Sequence, residues 1–583
     1  MVVAALGSLV VQLGFRTWAA WSGWYTTDDL GFLREAHRTD QWSYLTEPYN
    51  GHLMPGGKLV FWAVDAAGSA QWWPAVVYLV LGQAVAAIAC LWMLVTLFGR
   101  TWAILPPFLL YLFLSLTLPS YMWFVAATQQ LPLQIVLSLS VGAWVRYLRG
   151  DGRTWLVATL VTLAAGLFVR EKAMLVLPVL AFISLFYFTA GGLGERVRRL
   201  RRQVLPLVLV AALGLAYLVA YAARVSGQSS SVTLRTAADL AGSLLGSTLL
   251  TGIVGGPWRW KASTTNSFAD APEWAVGAAW LVVGLVTVYI LLRRKRSWQA
   301  FLLFGGYAGG TYLLLLTARG GTFGGSLGTD ARYLSDIPIV LCLCLCLATT
   351  ELRGAPGSSE PRRPALVARV PSWVVAGLTA AVVLGGIVSS VLYVRPWHDN
   401  EARDFFTRLD EDLTAQGPVD LADRVLPRTV ISPYMAPNNT LSFLAPLSTS
   451  DAHFPDSSSS LHVVGDDGSL QSAGIKPSLA SPPGKVPDCG WRVTSRGATV
   501  PLSGRADGDT SWMRIGYLAT APSVVTVTAG DTTFEASLRS GLNDLFLRVG
   551  TGFETVSFSD LDPGVTLCVD SIKVGPVRPE VQE

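Results

Sequence analysis

Charged residues are scarce in this sequence. Asp, Glu, Lys and Arg make up 14% of its 583 residues, 51% are hydrophobic, and the mean hydropathy is +0.43. Because a soluble domain carries about 25% charged residues, this composition excludes a soluble globular protein and predicts an integral membrane protein. The net charge of only +4 gives no basis for nucleic acid binding.

Cysteine and histidine are also rare, with six and five residues. Cys342, Cys344 and Cys346 alternate with leucine in an apolar segment, and this spacing spreads them around a helix, so no metal-ligand set is expected there. Cys489 and Cys568 are the only cysteines of the polar C-terminal region. We expect them to form a disulfide in an oxidising, extracytoplasmic space.

Long apolar runs recur from the N-terminus to about residue 394 and then stop. A helix needs about 20 residues to cross roughly 30 Å of hydrocarbon. The runs therefore predict a polytopic α-helical membrane protein with about eleven transmembrane helices, at 2–21, 72–98, 103–119, 129–148, 154–169, 173–189, 204–223, 273–292, 298–317, 333–350 and 371–394.

Basic residues lie in alternate loops between these runs, at 100, 146–153, 196–202, 293–296 and 353–369. Lys and Arg accumulate in short cytoplasmic loops. This pattern predicts a multi-pass protein of the cytoplasmic membrane with its N-terminus inside and its C-terminal region outside. A cleavable signal peptide is not expected, because no basic leader follows Met1.

The region after residue 394 has two predicted parts. From 395 to 487 the pattern is mixed α/β, with a helix around 402–413. From 488 to 583 short alternating segments separated by Gly, Asp and Pro predict a β-sandwich. The predicted domains are thus 1–394, 395–487 and 488–583.

Two adjacent aspartates, Asp28 and Asp29, follow the first apolar run on the predicted outer face. Charge beside hydrocarbon costs a few kcal/mol, so ionisable residues held there are functional candidates. The pair could hold a divalent cation such as Mg or Mn, although no other carboxylate or histidine nearby has strong ligand spacing. The alternative role is an acidic N-cap of a surface helix.

Further polar residues fall on the same predicted side. The loop 22–71 contains His52 and Lys58 and is expected to form short amphipathic helices on the membrane surface. Arg170-Glu171-Lys172 lies between two apolar runs, and Arg332-Tyr333 begins another. A helix corner with solvated charges and an interfacial anchor are the plainer explanations of these last two clusters.

Cations at a membrane face suit a phosphate, which arginine binds through forked hydrogen bonds and lysine as a point charge. A carboxylate beside them suits a general base that removes the proton of a hydroxyl group. The acidic pair and the cations together therefore predict a reaction that joins a hydroxyl to a group carried on a membrane phosphate.

The Asp28-Asp29 pair, the His52-Leu53-Met54-Pro55 element, the Arg170-Glu171-Lys172 turn and the Arg332-Tyr333 helix start together resemble the GT-C superfamily of polytopic glycosyltransferases. The resemblance covers residues 1–394. It implies a sugar donor on a polyprenyl phosphate, and inverting transfer outside the membrane to a hydroxyl of a cell-envelope glycan or glycolipid.

The same resemblance implies roles for individual residues. One of Asp28 and Asp29 is the catalytic base, with Asp28 favoured. The residues that hold the donor phosphate are Arg170, Lys172, Arg332 and Tyr333, and those that contact the acceptor or the donor are His52, Lys58 and Glu171. The run after His52 departs from the family pattern at Met54 and Gly56.

The predicted sandwich resembles the carbohydrate-binding modules of actinobacterial cell-wall glycosyltransferases, which implies glycan contacts by Trp512 and Tyr517. Burial of both rings in the core is the alternative, because a strand buries every second residue. Composition rich in Ala, Val, Gly, Leu and Arg is compatible with an actinobacterium, in which arabinofuranose or mannose are candidate sugars.

Two other functions stay open. The first is a transporter or flippase of a lipid-linked saccharide, a class that shows internal repeats and charged, broken helices near the bilayer midplane; the sequence shows neither feature. The second is a non-catalytic envelope protein that binds glycan through its C-terminal part.

Overall fold

The computed structural model describes residues 1–37, 40–68, 70–189, 191–200, 203–225, 232–262, 267–447, 452–507 and 511–580. Arg201 and Arg202, which belong to a predicted inner loop, lie outside the described residues. The chain forms two compact units, Met1–Asn400 and Glu401–Glu583.

The first unit is helical. Its helices are α1 (Val2–Trp21), α2 (Asp28–Ala36), α3 (Gln41–Thr46), α4 (Pro55–Ala67), α5 (Trp73–Phe98), α6 (Leu105–Phe113), α7 (Leu118–Met122), α8 (Phe124–Arg149), α9 (Thr154–Val169), α10 (Val176–Phe186), α11 (Leu193–Leu200), α12 (Val204–Arg224), α13 (Leu234–Ala241), α14 (Leu250–Ile253), α15 (Glu273–Arg293), α16 (Trp298–Leu315), α17 (Gly321–Phe323), α18 (Ile337–Thr349) and α19 (Ser372–Val394). Two small ladders accompany them, β1 (Trp260–Ala262) with β2 (Ser267–Ala269), and β3 (Arg294–Lys295) with β4 (Glu360–Pro361).

Within the described residues, eight helical segments are long and apolar enough to cross a membrane. They are Val2–Trp21, Trp73–Phe98, Phe124–Arg149, Val204–Arg224, Glu273–Arg293, Trp298–Thr329, Ala331–Thr349 and Ser372–Gln416. Each overlaps one of the predicted spans, which confirms a polytopic membrane protein.

Three of the eleven predicted spans differ from single full-length helices. The run 103–119 corresponds to Trp102–Phe113 and Ser115–Met122, which are bent by 47° at the break and count as a ninth span when taken together. The other two correspond to α9, of 16 residues, and to α10, of 11 residues. A 16-residue helix is only about 24 Å long, so neither reaches the length of the others.

The second unit begins with α20 (Glu401–Gln416), which confirms the predicted helix around 402–413. A further short helix, α21 (Leu441–Leu444), follows. The strands are β5 (Val419–Leu421), β6 (Ala452–His453), β7 (Ser457–Ser458), β8 (Leu461–Val464), β9 (Leu470–Ile475), β10 (Leu479–Ala480), β11 (Trp491–Val493), β12 (Ala498–Ala506), β13 (Ser511–Ala519), β14 (Ser523–Ala529), β15 (Thr532–Leu538), β16 (Gly541–Val549), β17 (Phe553–Ser559), β18 (Leu567–Gly575) and β19 (Val577–Pro579).

These strands form three sheets. One has the order β10-β18-β13-β16-β7, with β11 also paired to β18, and another has the order β12-β17-β14-β15. Alternate residues of both sheets, including Met513, Val525 and Val556, share one buried core, as expected for a sandwich. The third sheet has the order β19-β9-β8-β5-β6.

Strand pairing crosses residue 488 in both directions, because β10 joins a sheet of the sandwich and β19 joins the preceding sheet. The division of this unit at 487 therefore stays a prediction. Cys489 and Cys568 form a disulfide bond, which confirms the predicted pairing.

Candidate active site

Residues from distant parts of the first unit line one open pocket. The lining side chains include five that the sequence singled out, which are Asp28, His52, Arg170, Arg332 and Tyr333. They come from the segment after α1, from the turn before α4, from the end of α9 and from a 3-10 turn before α18. The fold thus joins one carboxylate and several cations in a single cavity.

The two aspartates have different surroundings. Asp28, the first residue of α2, is partly exposed and lines the pocket. Asp29 is fully buried, and its two carboxylate oxygens accept hydrogen bonds from the backbone N–H groups of Val125 (2.7 Å) and Thr26 (3.0 Å). Since Val125 lies in the first turn of α8, Asp29 ties α2 to the N-terminus of that helix.

Burial raises the pKa of both carboxyl groups, that of Asp29 to about 8. For Asp28, the nearby Arg332 and Arg319 and a hydrogen bond from Tyr49 oppose this rise without cancelling it. Asp28 is therefore more basic than an ordinary aspartate and faces the pocket.

A tight turn presents Tyr49 and His52 to the pocket. The two residues exchange backbone hydrogen bonds of 2.9 and 2.8 Å. Between them Asn50 and Gly51 both have positive φ, 47° and 78°, as a type I′ turn requires. The dipeptide Asn-Gly is the preferred centre of such turns, so the local sequence determines this geometry.

His52 is held at both ring nitrogens. Nδ1 lies 2.8 Å from Glu171 Oε1, and Nε2 lies 2.8 Å from Arg319 Nη2. Arg319 also donates to the Tyr333 hydroxyl (3.1 Å). Burial opposes ionisation of Glu171, but the hydrogen bond from His52 and the charge of Arg170 lower the pKa of this carboxyl. Glu171 is thus a carboxylate that contacts the pocket through His52.

Arg170 and Arg332 reach the pocket from short irregular segments. Arg170 follows α9 in extended conformation, and its Nε is buried without a hydrogen-bond partner. Arg332 pairs with Asp330 (2.7 Å), whose carboxylate also accepts the backbone N–H of Arg332. The Arg332 guanidinium lies 4.1 Å from the ring centre of Trp123, a distance typical of a cation–π contact.

Lys172 does not line the pocket, contrary to the predicted phosphate contact. Its ammonium is buried and donates to Asp336 Oδ1 (2.5 Å) and to the carbonyl of Tyr333 (2.9 Å). The Tyr307 hydroxyl donates to the other oxygen of Asp336 (2.5 Å). Lys172 therefore anchors the backbone of the 3-10 turn Ala331–Leu334 that carries Arg332 and Tyr333.

Lys58 is also removed from the pocket, contrary to the predicted substrate contact. It is 5% exposed, and its ammonium donates to the carbonyl groups of Tyr44 (2.6 Å) and Glu47 (2.7 Å). These carbonyls lie at the end of α3, where a cation satisfies acceptors that the helix leaves free. Lys58 thus holds α3 against α4.

In the second unit, Trp512 and Tyr517 are 8% and 1% exposed, so the structure places both rings in the interior, as the alternative to a glycan contact expected. Tyr517 belongs to the sandwich core. Trp512 points to the other side of β13 and packs with Leu461 and Phe546. Strand alternation could not reveal that β13 is covered on both faces.

Several residues that line the pocket were not identified from the sequence, including Tyr49, Ser120, Gln129, Gln130 and Arg319. Arg319 carried a usable signal, because it is a lone cation at the end of a predicted span, just before the glycines at 320 and 321. Ser120 reaches the pocket through the bend between α6 and α7, which the apolar pattern conceals.

Each oxygen of Asp29 accepts a backbone hydrogen bond, and a divalent cation at the acidic pair stays a prediction. Among the described residues, no cluster of three or more His, Cys, Asp or Glu could hold a metal ion.

The chain is similar to the mycobacterial arabinofuranosyltransferase AftD, known from cryo-electron microscopy. The match has 9% identity and a TM-score of 0.35, and it covers 99% of this chain and 60% of that one. The R1389S mutant of AftD (class 2) gives 10% identity, a TM-score of 0.36 and 63% coverage of its chain. This chain thus spans less than two thirds of either structure, and likeness at this level carries no information on activity. No family model and no curated protein matches the chain.

Proposed function

We propose that the protein is a membrane glycosyltransferase that moves a monosaccharide from a polyprenyl phosphate to a hydroxyl of a cell-envelope glycan or glycolipid. The transfer inverts the anomeric centre, takes place on the outer side of the cytoplasmic membrane, and uses Asp28 as the general base. The proposal rests on one observation, which is the pocket that Asp28 shares with Arg170, Arg319 and Arg332.

The three arginines suit the leaving group. A sugar phosphodiester carries one negative charge, and the charge on phosphate grows when the bond to the sugar breaks. Guanidinium groups bind such oxygens through forked, charge-assisted hydrogen bonds. Because these donors are fixed before the reaction, they stabilise developing charge without reorganisation.

Asp28 suits the attacking side. The acceptor hydroxyl attacks the anomeric carbon and transfers its proton to the Asp28 carboxylate, while the carbon–oxygen bond to phosphate breaks and polyprenyl phosphate leaves. A base is more effective when its pKa approaches the working pH. Burial shifts the pKa of Asp28 upward, towards a neutral working pH. Asp29 is buried and fully hydrogen-bonded, so we assign it to structure.

The test is transfer by the purified full chain in lipid nanodiscs. Radiolabelled polyprenyl-phosphate arabinofuranose and mannose would be supplied with a panel of envelope glycan acceptors. We expect product with one donor, and a loss of roughly 100-fold or more with Asp28→Asn, the usual effect of removing a general base. Asp239→Asn is the matched control, because Asp239 is 60% exposed and does not line the pocket.

Other outcomes separate the competing functions. Near-normal transfer by Asp28→Asn would show that Asp28 is not the general base, but the protein would still be a glycosyltransferase. Movement of intact lipid-linked saccharide across the bilayer without glycosidic transfer would favour a flippase. Retention of glycan with neither activity would favour a binding protein, and glycan binding by the second unit stays a prediction without assigned residues.

A further inference from the structure

His52 has no ring nitrogen left for a substrate. Nδ1 and Nε2 each lie 2.8 Å from a partner, Glu171 Oε1 on one side and Arg319 Nη2 on the other. A ring flipped by 180° would place C–H groups at both contacts, so the two partners fix the orientation of the imidazole.

The identity of the partners also fixes the protonation state. Arginine has donors and no acceptor, so the contact with Arg319 requires a lone pair on Nε2. The Glu171 carboxylate is an acceptor, so the contact on the other side requires a proton on Nδ1. Only the neutral Nδ1–H tautomer satisfies both contacts.

We infer that His52 is a positioning residue for Arg319, held as the neutral Nδ1–H tautomer by Glu171, and that it contacts neither the phosphate nor the acceptor. This inference rests on the proposed function for the statement that Arg319 binds the donor phosphate. It assigns His52 a different task from the substrate contact that the sequence predicted.

The surroundings of Arg319 support this task. Its hydrogen bonds go to His52 and to the Tyr333 hydroxyl, both neutral groups. Arg332, in contrast, is paired with the Asp330 carboxylate at 2.7 Å. A guanidinium held by neutral acceptors keeps its charge available for an anion, whereas one paired with a carboxylate shares it.

Hydrogen bonds hold the backbone turn that carries His52 in place. His52 closes the turn that begins at Tyr49, and the Tyr221 hydroxyl donates to the Gly51 carbonyl at 2.6 Å. Glu171 lies one residue after Arg170 in the chain, so the same short segment carries a pocket cation and the acceptor that orients His52. One hydrogen-bonded chain therefore links the positions of Arg170 and Arg319.

The first test is spectroscopic and independent of transfer activity. The full chain would be labelled with ¹⁵N-histidine, and the His52 signals would be identified among its five histidines by their loss in His52→Gln. We expect one protonated and one unprotonated ring nitrogen at neutral pH, with the proton on Nδ1. A doubly protonated ring, or a proton on Nε2, would overturn the inference.

The second test measures binding of a short-chain polyprenyl phosphate to the same protein. Glutamine keeps an acceptor that can reach Arg319, so His52→Gln should bind nearly normally. His52→Phe should weaken binding roughly tenfold to hundredfold, the range for a hydrogen bond to a charged group. His52→Phe combined with Arg319→Met should be no weaker than Arg319→Met alone, as expected for residues that act together.

Additive losses in the double variant would show that His52 acts independently of Arg319 and would reject the inference. Equal losses in His52→Gln and His52→Phe would reject it as well. The expected tautomer and coupling without sugar transfer from any donor would reject the proposed function alone.

Discussion

Two arginines of the pocket, Arg170 and Arg319, have surroundings opposite to those of the two lysines beside it. Arg170 and Arg319 line the cavity and contact no carboxylate through any described hydrogen bond or ion pair. Lys58 and Lys172 are buried, and their ammonium groups donate to backbone carbonyls or to Asp336. The sequence presents all of them as cations at one predicted membrane face.

The difference follows from the shape of the two side chains. A planar guanidinium offers several donors and can bind a neighbour while it presents free N–H groups to an anion. A compact ammonium buried among carbonyls uses its donors where it lies. In this site lysine therefore supports the walls, and arginine supplies the charge of the cavity.

The largest effect is expected on stability. Lys172→Met leaves Asp336 buried without its cation, which typically costs about 3–5 kcal/mol in the free energy of unfolding. Thermal unfolding in detergent would measure it. Asp336→Asn added to Lys172→Met removes the unpaired charge and should recover part of the loss. If Lys172→Met unfolds like wild type, the lysine is not structural and the contrast with the arginines fails.

The next effect is expected on transfer rather than on folding. Arg319→Met removes a cation whose hydrogen bonds go to neutral groups, so no ion pair is broken and the unfolding temperature should change little. Turnover should fall roughly 100-fold, as for loss of one preorganised donor to transition-state charge. Transfer assays on protein of verified thermal stability would measure it. Full turnover would exclude Arg319 from the reaction.

The apolar pattern predicted the membrane class because hydropathy and length suffice for long helices. It did not reveal that α9 and α10 are short or that the run around residue 114 is bent, because packing decides where an apolar run forms one continuous helix. In the second unit, the period-two alternation that predicted a sandwich is found in strands such as β13, β14, β16 and β17.

The candidate site was predictable in part. Asp28, His52, Arg170, Arg332 and Tyr333 were identified from residue type and order along the chain, and they meet in one pocket. Which cations face a cavity could not be predicted, because the partners of Lys58 and Lys172 come from other elements. The buried pairing of Lys172 with Asp336 joins residues 164 positions apart.

A smaller effect on stability is expected at Lys58. Lys58→Met leaves the carbonyls of Tyr44 and Glu47 without this donor, and each such loss costs about 1–3 kcal/mol. Because Lys58 does not line the pocket, the turnover of the folded fraction should stay near normal. Unfolding curves and transfer assays on the same preparation would separate the two quantities. A strong loss of turnover in fully folded protein would place Lys58 with the pocket arginines.

The smallest effect is a shift in the pH dependence of transfer. Asp28 must be ionised to act as the base, and burial raises its pKa above the ordinary aspartate value, so transfer should be lost as pH falls through a value higher than usual for aspartate. Arg319 lowers this pKa. Arg319→Gln should therefore move the acidic limb of the residual activity to higher pH, whereas Lys58→Gln should leave it in place, because Lys58 does not line the pocket and its ammonium donates to the carbonyls of Tyr44 and Glu47. Rate profiles between pH 4 and 8 in constant ionic strength would measure the limb, since low salt exaggerates such electrostatic effects. Equal shifts in both variants would mean that the charge of the pocket is not supplied by its arginines.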